Sequence, residues 1–223
     1  MTFSLAQMRE AAEAAGLALR GGFLLRDEER IGPLLRARTL LLLGFTGAEQ
    51  WPVFAASPEA ADGLAHPLDR WSRRVISALG ARLGGEPLFP FDGPPYWPFQ
   101  AWARRAEPVF PSPLGLLIHP RFGLWHNYRG ALAFAEPLDL PARPEAASPC
   151  ANCAQKPCLS TCPVGAFSPA GFDPDACAGF MRAGGACREE GCAARRACPV
   201  GREYAHAPAQ SLFYMRAFLA ARA

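Results

Sequence analysis

For its first 149 residues this chain has no cysteine, so thiolate chemistry is confined to the last third. It has one lysine, Lys156, against an otherwise all-arginine basic complement. In an Ala- and Pro-rich background we assign that bias to codon usage rather than to guanidinium chemistry. The net charge is only +3, too weak to imply a nucleic-acid surface by itself. The longest strongly apolar run, Leu40–Phe45, is far short of a membrane span. The N-terminal stretch is amphipathic, with acidic and basic residues, and does not have the charged-then-apolar pattern of a secretory signal. The expectation is a cytoplasmic protein in a reducing compartment, with no membrane and no nucleic-acid partner.

What is present is concentrated. All eight cysteines lie between Cys150 and Cys198, and the tetrapeptide Cys-Pro-Val-Gly occurs twice, at Cys162–Gly165 and Cys198–Gly201. The first set reads Cys150-x2-Cys153-x4-Cys158-x3-Cys162-Pro163. It matches the bacterial ferredoxin run with two extra residues before the third cysteine. Closely spaced cysteines on a tight loop direct three thiolates at one cluster, while the cysteine before proline serves the other. The second set is looser: Cys177-x9-Cys187-x4-Cys192-x5-Cys198-Pro199. The crossed rule assigns Cys150, Cys153, Cys158 and Cys198 to one 4Fe–4S cluster. Cys162, Cys177, Cys187 and Cys192 go to a second, and no cysteine is left over. Two other readings use the same residues: a disulfide framework, which needs an oxidising compartment, and two four-cysteine zinc sites. The repeated Cys-Pro favours iron–sulfur.

Half of the residues are hydrophobic, which supplies a sizeable core for one large or two unequal domains. Ser4–Ala15 reads as a helix with Gly16 as its stop. Leu17–Leu19 and Phe23–Leu25 read as short strands around Gly21-Gly22, and Thr39–Phe45 as a buried strand. Pro67–Leu83 is the clearest helix, with Leu68, Trp71, Val75, Leu79 and Leu83 at helical spacing and Gly84 beyond them. Leu88–Phe91 reads as a further strand. Asp92–Pro113 is rich in proline and aromatics. Trp97, and Arg104 on a short helix at 98–106, are candidates to wall a flat ligand, against the plainer reading of a satellite core. Residues 115–134 read as a hairpin, strands 115–119 and 124–134 around a turn at Pro120–Gly123. His119, Arg121, Gly123, Trp125 and Arg129 on it are candidate cofactor-binding residues. Pro137–Pro149 reads as a linker, and Pro208–Ala221 as a closing helix.

The hairpin residues Ile118-His119-Pro120-Arg121-Phe122-Gly123-Leu124-Trp125, followed by Arg129-Gly130, resemble a block of the CblC-type cobalamin-processing proteins, which have a nitroreductase-like fold. Pro67-Leu68-Asp69 is similar to that family's helix start, and Leu138-Asp139-Leu140-Pro141 to its exit from the strand. The cysteine segment, with Asp173-Pro174-Asp175-Ala176-Cys177, resembles that of epoxyqueuosine reductases. These join a cobalamin-binding, nitroreductase-like domain to a two-cluster ferredoxin module; reductive dehalogenases share the plan.

The resemblances imply an α+β protein in two domains. Residues 1–145 would form a nitroreductase-like domain, a mixed or antiparallel sheet with flanking helices. Residues 146–223 would form a ferredoxin-like domain with two 4Fe–4S clusters and a C-terminal helix. They further imply a bound corrinoid, with Arg129 in its pocket, and an oxidoreductase passing electrons from the clusters to cobalt, with removal of the upper ligand of cobalamin. The upstream donor would be a reductase, ferredoxin or flavodoxin, and a homodimer is in keeping with the CblC-type relatives. The rival readings are an electron carrier with no substrate of its own, an FMN-dependent reductase, and an epoxyqueuosine-type reductase.

Overall fold

The computed structural model describes residues 3–168 and 170–222. In chain order its main elements are α1 (Leu5–Ala14), β1 (Ala18–Leu24), β2 (Thr39–Thr46), α2 (Trp51–Ala55), α3 (Pro58–Ala61), α4 (Pro67–Leu83), β3 (Glu86–Leu88), α5 (Phe99–Ala106), β4 (Phe110–Pro111), β5 (Leu117–Ile118), β6 (His126–Phe134), α6 (Pro157–Ser160), β7 (Phe167–Ser168), β8 (Gly171–Phe172), α7 (Pro174–Arg182), α8 (Cys187–Glu190), α9 (Ala193–Arg196) and α10 (Pro208–Ala220). The chain divides into two compact units. The first runs to Pro108 and includes Asn127–Glu145; the second comprises Val109–His126 and the chain from Ala146 onward.

The first unit is built on a four-stranded sheet of order β1-β2-β6-β3, with β1–β2 and β3–β6 antiparallel. Every residue of β2 is buried, as its unbroken apolar run requires. The two short strands expected around Gly21-Gly22 are one strand, β1, whose register with β2 shifts between Leu19 and Gly22. Gly21 permits that bulge: its φ is +79°, and a Cβ there would stand 2.7 Å from the Ala106 carbonyl oxygen.

Helix α1 starts at a capping box, the Ser4 side chain accepting from the Gln7 N–H while the Gln7 side chain accepts from the Ser4 N–H. Helix α4 has the bounds its periodicity implies and ends at Gly84 in the left-handed region, φ +79°. Its buried face holds Leu68, Trp71, Ile76, Leu79 and Leu83, with Ile76 in the place expected of the half-buried Val75. Trp71 meets Phe45 and Phe54 edge-on at 5.7 and 5.8 Å between ring centroids. Residues 137–143 are not a free linker. The Leu138 N–H donates to Thr39 Oγ1 and Arg143 Nε to the Glu107 carbonyl, which lays this stretch along the first unit.

The expected hairpin of 115–119 against 124–134 does not form. Strand β5 pairs with β4, and β6 pairs with β3 in the sheet. Local chemistry explains the difference. His119 Nδ1 accepts the N–H groups of Arg121 and Phe122, at 3.0 and 3.2 Å, and a bridge joins His119 to Gly123. The chain therefore turns on itself within five residues, and β5 takes its partner from upstream.

In the second unit, Leu114, Ile118, Leu124, Cys158, Ala194 and Cys198 form one buried cluster. Residues from the 109–126 excursion and from the cysteine segment thus share a core. Helix α7 is capped by Asp173, whose side chain accepts from the N–H groups of Asp175 and Ala176. Helix α10 packs on α8.

Candidate metal centre

The eight cysteines are free thiols, and the fold sorts them into two groups. Cys162, Cys177, Cys187 and Cys192 all line one cavity of about 480 Å³. Its other walls are mostly apolar, including Phe167, Phe180, Met181, Met215 and Phe218. Burial, with Cys192, Cys162 and Cys187 as neighbours, pushes the Cys177 thiol up to about 11. The remaining four keep each other's company. Cys150 is raised by burial and then by Cys198, Cys158 and Cys153, and Cys158 by burial and then by Cys198 and Cys153. Cys150, Cys158, Cys177 and Cys192, raised chiefly by burial, resist ionisation unless positive charge sits among them.

Among the described residues, no three His, Cys, Asp or Glu side chains converge on a single ion. The donor set of the cavity is four soft thiols around an apolar space, which is the chemistry that polynuclear iron–sulfur ligation uses.

The two halves of the second unit meet through glycine. Gly123 has φ +57°, and a Cβ on it would stand 2.0 Å from the Val200 carbonyl oxygen. Opposite it Gly201, φ +68°, would carry a Cβ 2.5 Å from the Phe122 carbonyl carbon. Only glycine at both positions lets the 119–123 turn approach the second Cys-Pro-Val-Gly loop backbone to backbone. The first copy has no such constraint, since a Cβ on Gly165 would meet nothing within 4 Å.

The remaining candidates separate. Arg121 Nε donates to the Tyr204 hydroxyl at 2.6 Å. Trp125 is buried, edge-on to His206 at 5.2 Å between centroids, and its indole N–H has no partner among the described residues. Arg195, which the sequence did not single out, lies over the Trp125 ring at 4.9 Å. Its Nη2 donates to the Leu124 carbonyl and stands 3.5 Å from His206 Nε2. Burial, then the nearby Arg195, pushes His206 down to about 3. Nothing in Ala193–Arg196 distinguishes Arg195 from its neighbour, so only packing could find it.

In the first unit, Arg129 donates through Nε to Ser72 Oγ at 2.9 Å and through Nη2 to the Asp69 carboxylate. Two motifs that lie 60 residues apart in sequence therefore meet as an ion pair. Trp97 stacks on Trp102 at 5.7 Å, and Arg104 is exposed on α5.

No family model matches the chain, and no curated protein does. Solved structures do. An epoxyqueuosine reductase from Bacillus subtilis superposes with a TM-score of 0.53 and 14% identity, over 92% of this chain and 68% of that one. A selenomethionine-labelled epoxyqueuosine reductase gives 0.57 and 14%, over the same shares. At such identity the likeness is one of fold: this is an α+β chain with antiparallel sheets and flanking helices, similar to those reductases.

Proposed function

We propose that this protein is an iron–sulfur reductase whose second unit holds two 4Fe–4S clusters. One is held by Cys162, Cys177, Cys187 and Cys192, the other by Cys150, Cys153, Cys158 and Cys198. The observation that carries the reading is the cavity bounded by the first four thiols. The fold likeness supports it. Such clusters, when bound, supply one-electron transfer at potentials set by charge, hydrogen bonds and burial. The chain's own residues do the rest. Phe167, Phe180, Met181 and Met215 give the cavity an apolar lining, and the Gly123–Gly201 approach fixes the Cys198 loop.

The electron acceptor in this proposal is a corrinoid handled by the first unit, as an expected nitroreductase-like domain beside a ferredoxin-like module. That part stands on the resemblance, of which Arg129-Gly130 lies in the first unit and Ile118–Trp125 in the second. Arg129 is already neutralised by Asp69, so a ligand carboxylate or phosphate would compete for it. A second reading, reduction of epoxyqueuosine, is favoured by the fold likeness itself.

The test is anaerobic purification with iron and sulfide analysis, then titration by cobalamin followed in the visible spectrum. About eight irons per chain and a corrinoid spectral shift are expected. Zinc in place of iron overturns the cluster reading. Full iron with no response to cobalamin or FMN overturns the corrinoid part; turnover of an epoxyqueuosine-containing RNA then decides for the second reading, and its absence for an electron carrier.

A further inference from the structure

Arg195 lines the cavity bounded by Cys162, Cys177, Cys187 and Cys192, and its Nε, shielded from solvent, has no hydrogen-bond partner among the described residues. Its other contacts are neutral: the Leu124 carbonyl, the Trp125 ring and the His206 ring. Glu190 and Glu189 of α8 pair with other arginines, Arg196 and Arg188. Arg195 as a whole is half-buried, but an Nε–H drawn out of water without a hydrogen-bond partner is costly unless an anion meets it.

We propose that Arg195 is the positioning residue that compensates the negative charge of the cluster held by these four thiolates, and that it sets which of the two clusters is the easier to reduce. The inference rests on the cluster reading above. Four thiolates around a 4Fe–4S core give a net anion, and reduction adds one more negative charge. A fixed cation beside the cavity stabilises the reduced form more than the oxidised one, so it raises that cluster's reduction potential. In the test below, one electron enters from dithionite. No bond forms or breaks, and Arg195 neither gains nor loses a proton.

The experiment is a redox titration of the anaerobically purified full chain, followed by electron paramagnetic resonance, for wild type, Arg195→Gln and Arg195→Lys. The Cys162→Ala variant identifies which signal belongs to this cluster. In Arg195→Gln that signal's midpoint is expected to become more negative by at least a tenfold change in the reduction equilibrium, ~59 mV for one electron. The other signal should stay in place, and Arg195→Lys should shift the first one less. Trp125→Phe removes the indole N–H but no charge, and should leave both midpoints unmoved.

Unchanged midpoints in Arg195→Gln with full iron content overturn the proposal. If Arg195→Gln loses half its iron, Arg195→Lys decides. Full iron there supports charge compensation, and the same loss shows that the guanidinium serves packing instead. A wild-type protein without iron and sulfide defeats the cluster reading itself, which separates the two failures.

Discussion

The two units treat a guanidinium drawn into the fold differently. In the first, Arg20 is 1% exposed and meets Glu107 through two nitrogens, at 3.0 and 2.7 Å, with its Nη1 on the Phe45 carbonyl. Tyr128 completes the group: its hydroxyl donates to Glu107 at 2.6 Å, and its ring lies 4.9 Å from the Arg20 guanidinium. Arg129 is matched in the same way by Asp69. In the second unit Arg195 has carbonyl, indole and imidazole neighbours and, among the described residues, no carboxylate in ion-pair contact. A charge matched inside the protein stabilises a fold. Under our proposal, Arg195 is matched instead by the cluster that the four thiolates would hold.

Breaking either kind of match gives the largest effects. Cys162→Ala and Cys158→Ala should each remove about half of the bound iron, from opposite clusters, as counted by iron analysis. Iron content untouched by either change would dissolve the crossed grouping. Next in size, Arg20→Met leaves the Glu107 carboxylate buried without its cation. We expect a loss of about 3–5 kcal/mol in urea unfolding followed by intrinsic fluorescence. A loss below about 1 kcal/mol would mean that Glu107 relaxes to solvent and that the Arg20 pair adds little to the fold.

Arg129→Ala exposes a smaller imbalance, because the Asp69 side chain is 34% accessible. A destabilisation of about 1–2 kcal/mol is expected, with iron content unchanged and corrinoid titration weakened. Corrinoid binding that matches wild type would make Arg129 purely a strut between β6 and α4.

The smallest effect concerns pH. His206 titrates ordinarily near 6.5 and is held at about 3 in the fold. Below about 6.5 the unfolded chain takes up a proton that the folded chain refuses, so stability is full above that value and declines as pH falls toward 3. Between pH 6.5 and 5.5 the decline should be about 1 kcal/mol, and His206→Gln should flatten it in thermal unfolding. Glu29 and Glu59 do not interfere in that window. Each is held at about 2, and their contribution fades only as pH falls from 4.5 toward 2.

Much of this was legible in order along the chain. Helix α4 could be bounded because its apolar spacing, Pro67 and Gly84 are local signals. The buried strand β2 was legible for the same reason. The hairpin was misread because His119 closes a local turn that strand alternation does not encode. Gly123, a candidate cofactor-binding residue by sequence, makes in the fold a close backbone approach to Val200 that sequence alone does not encode.

The sequence by itself determined the donor chemistry: eight thiols and their two Cys-Pro repeats, the basis on which the ferredoxin pattern proposes a grouping in fours. Tertiary structure alone decided which residues complete the setting. It gathered Val109–His126 with the cysteine segment, lined the four-thiol cavity with Met215 and Phe218 of α10, and gave Arg129 a carboxylate but, among the described residues, gave Arg195 a carbonyl. The physical reason is that charge compensation and exclusion of water depend on distance in space, and neighbours in space are set by packing rather than by order along the chain.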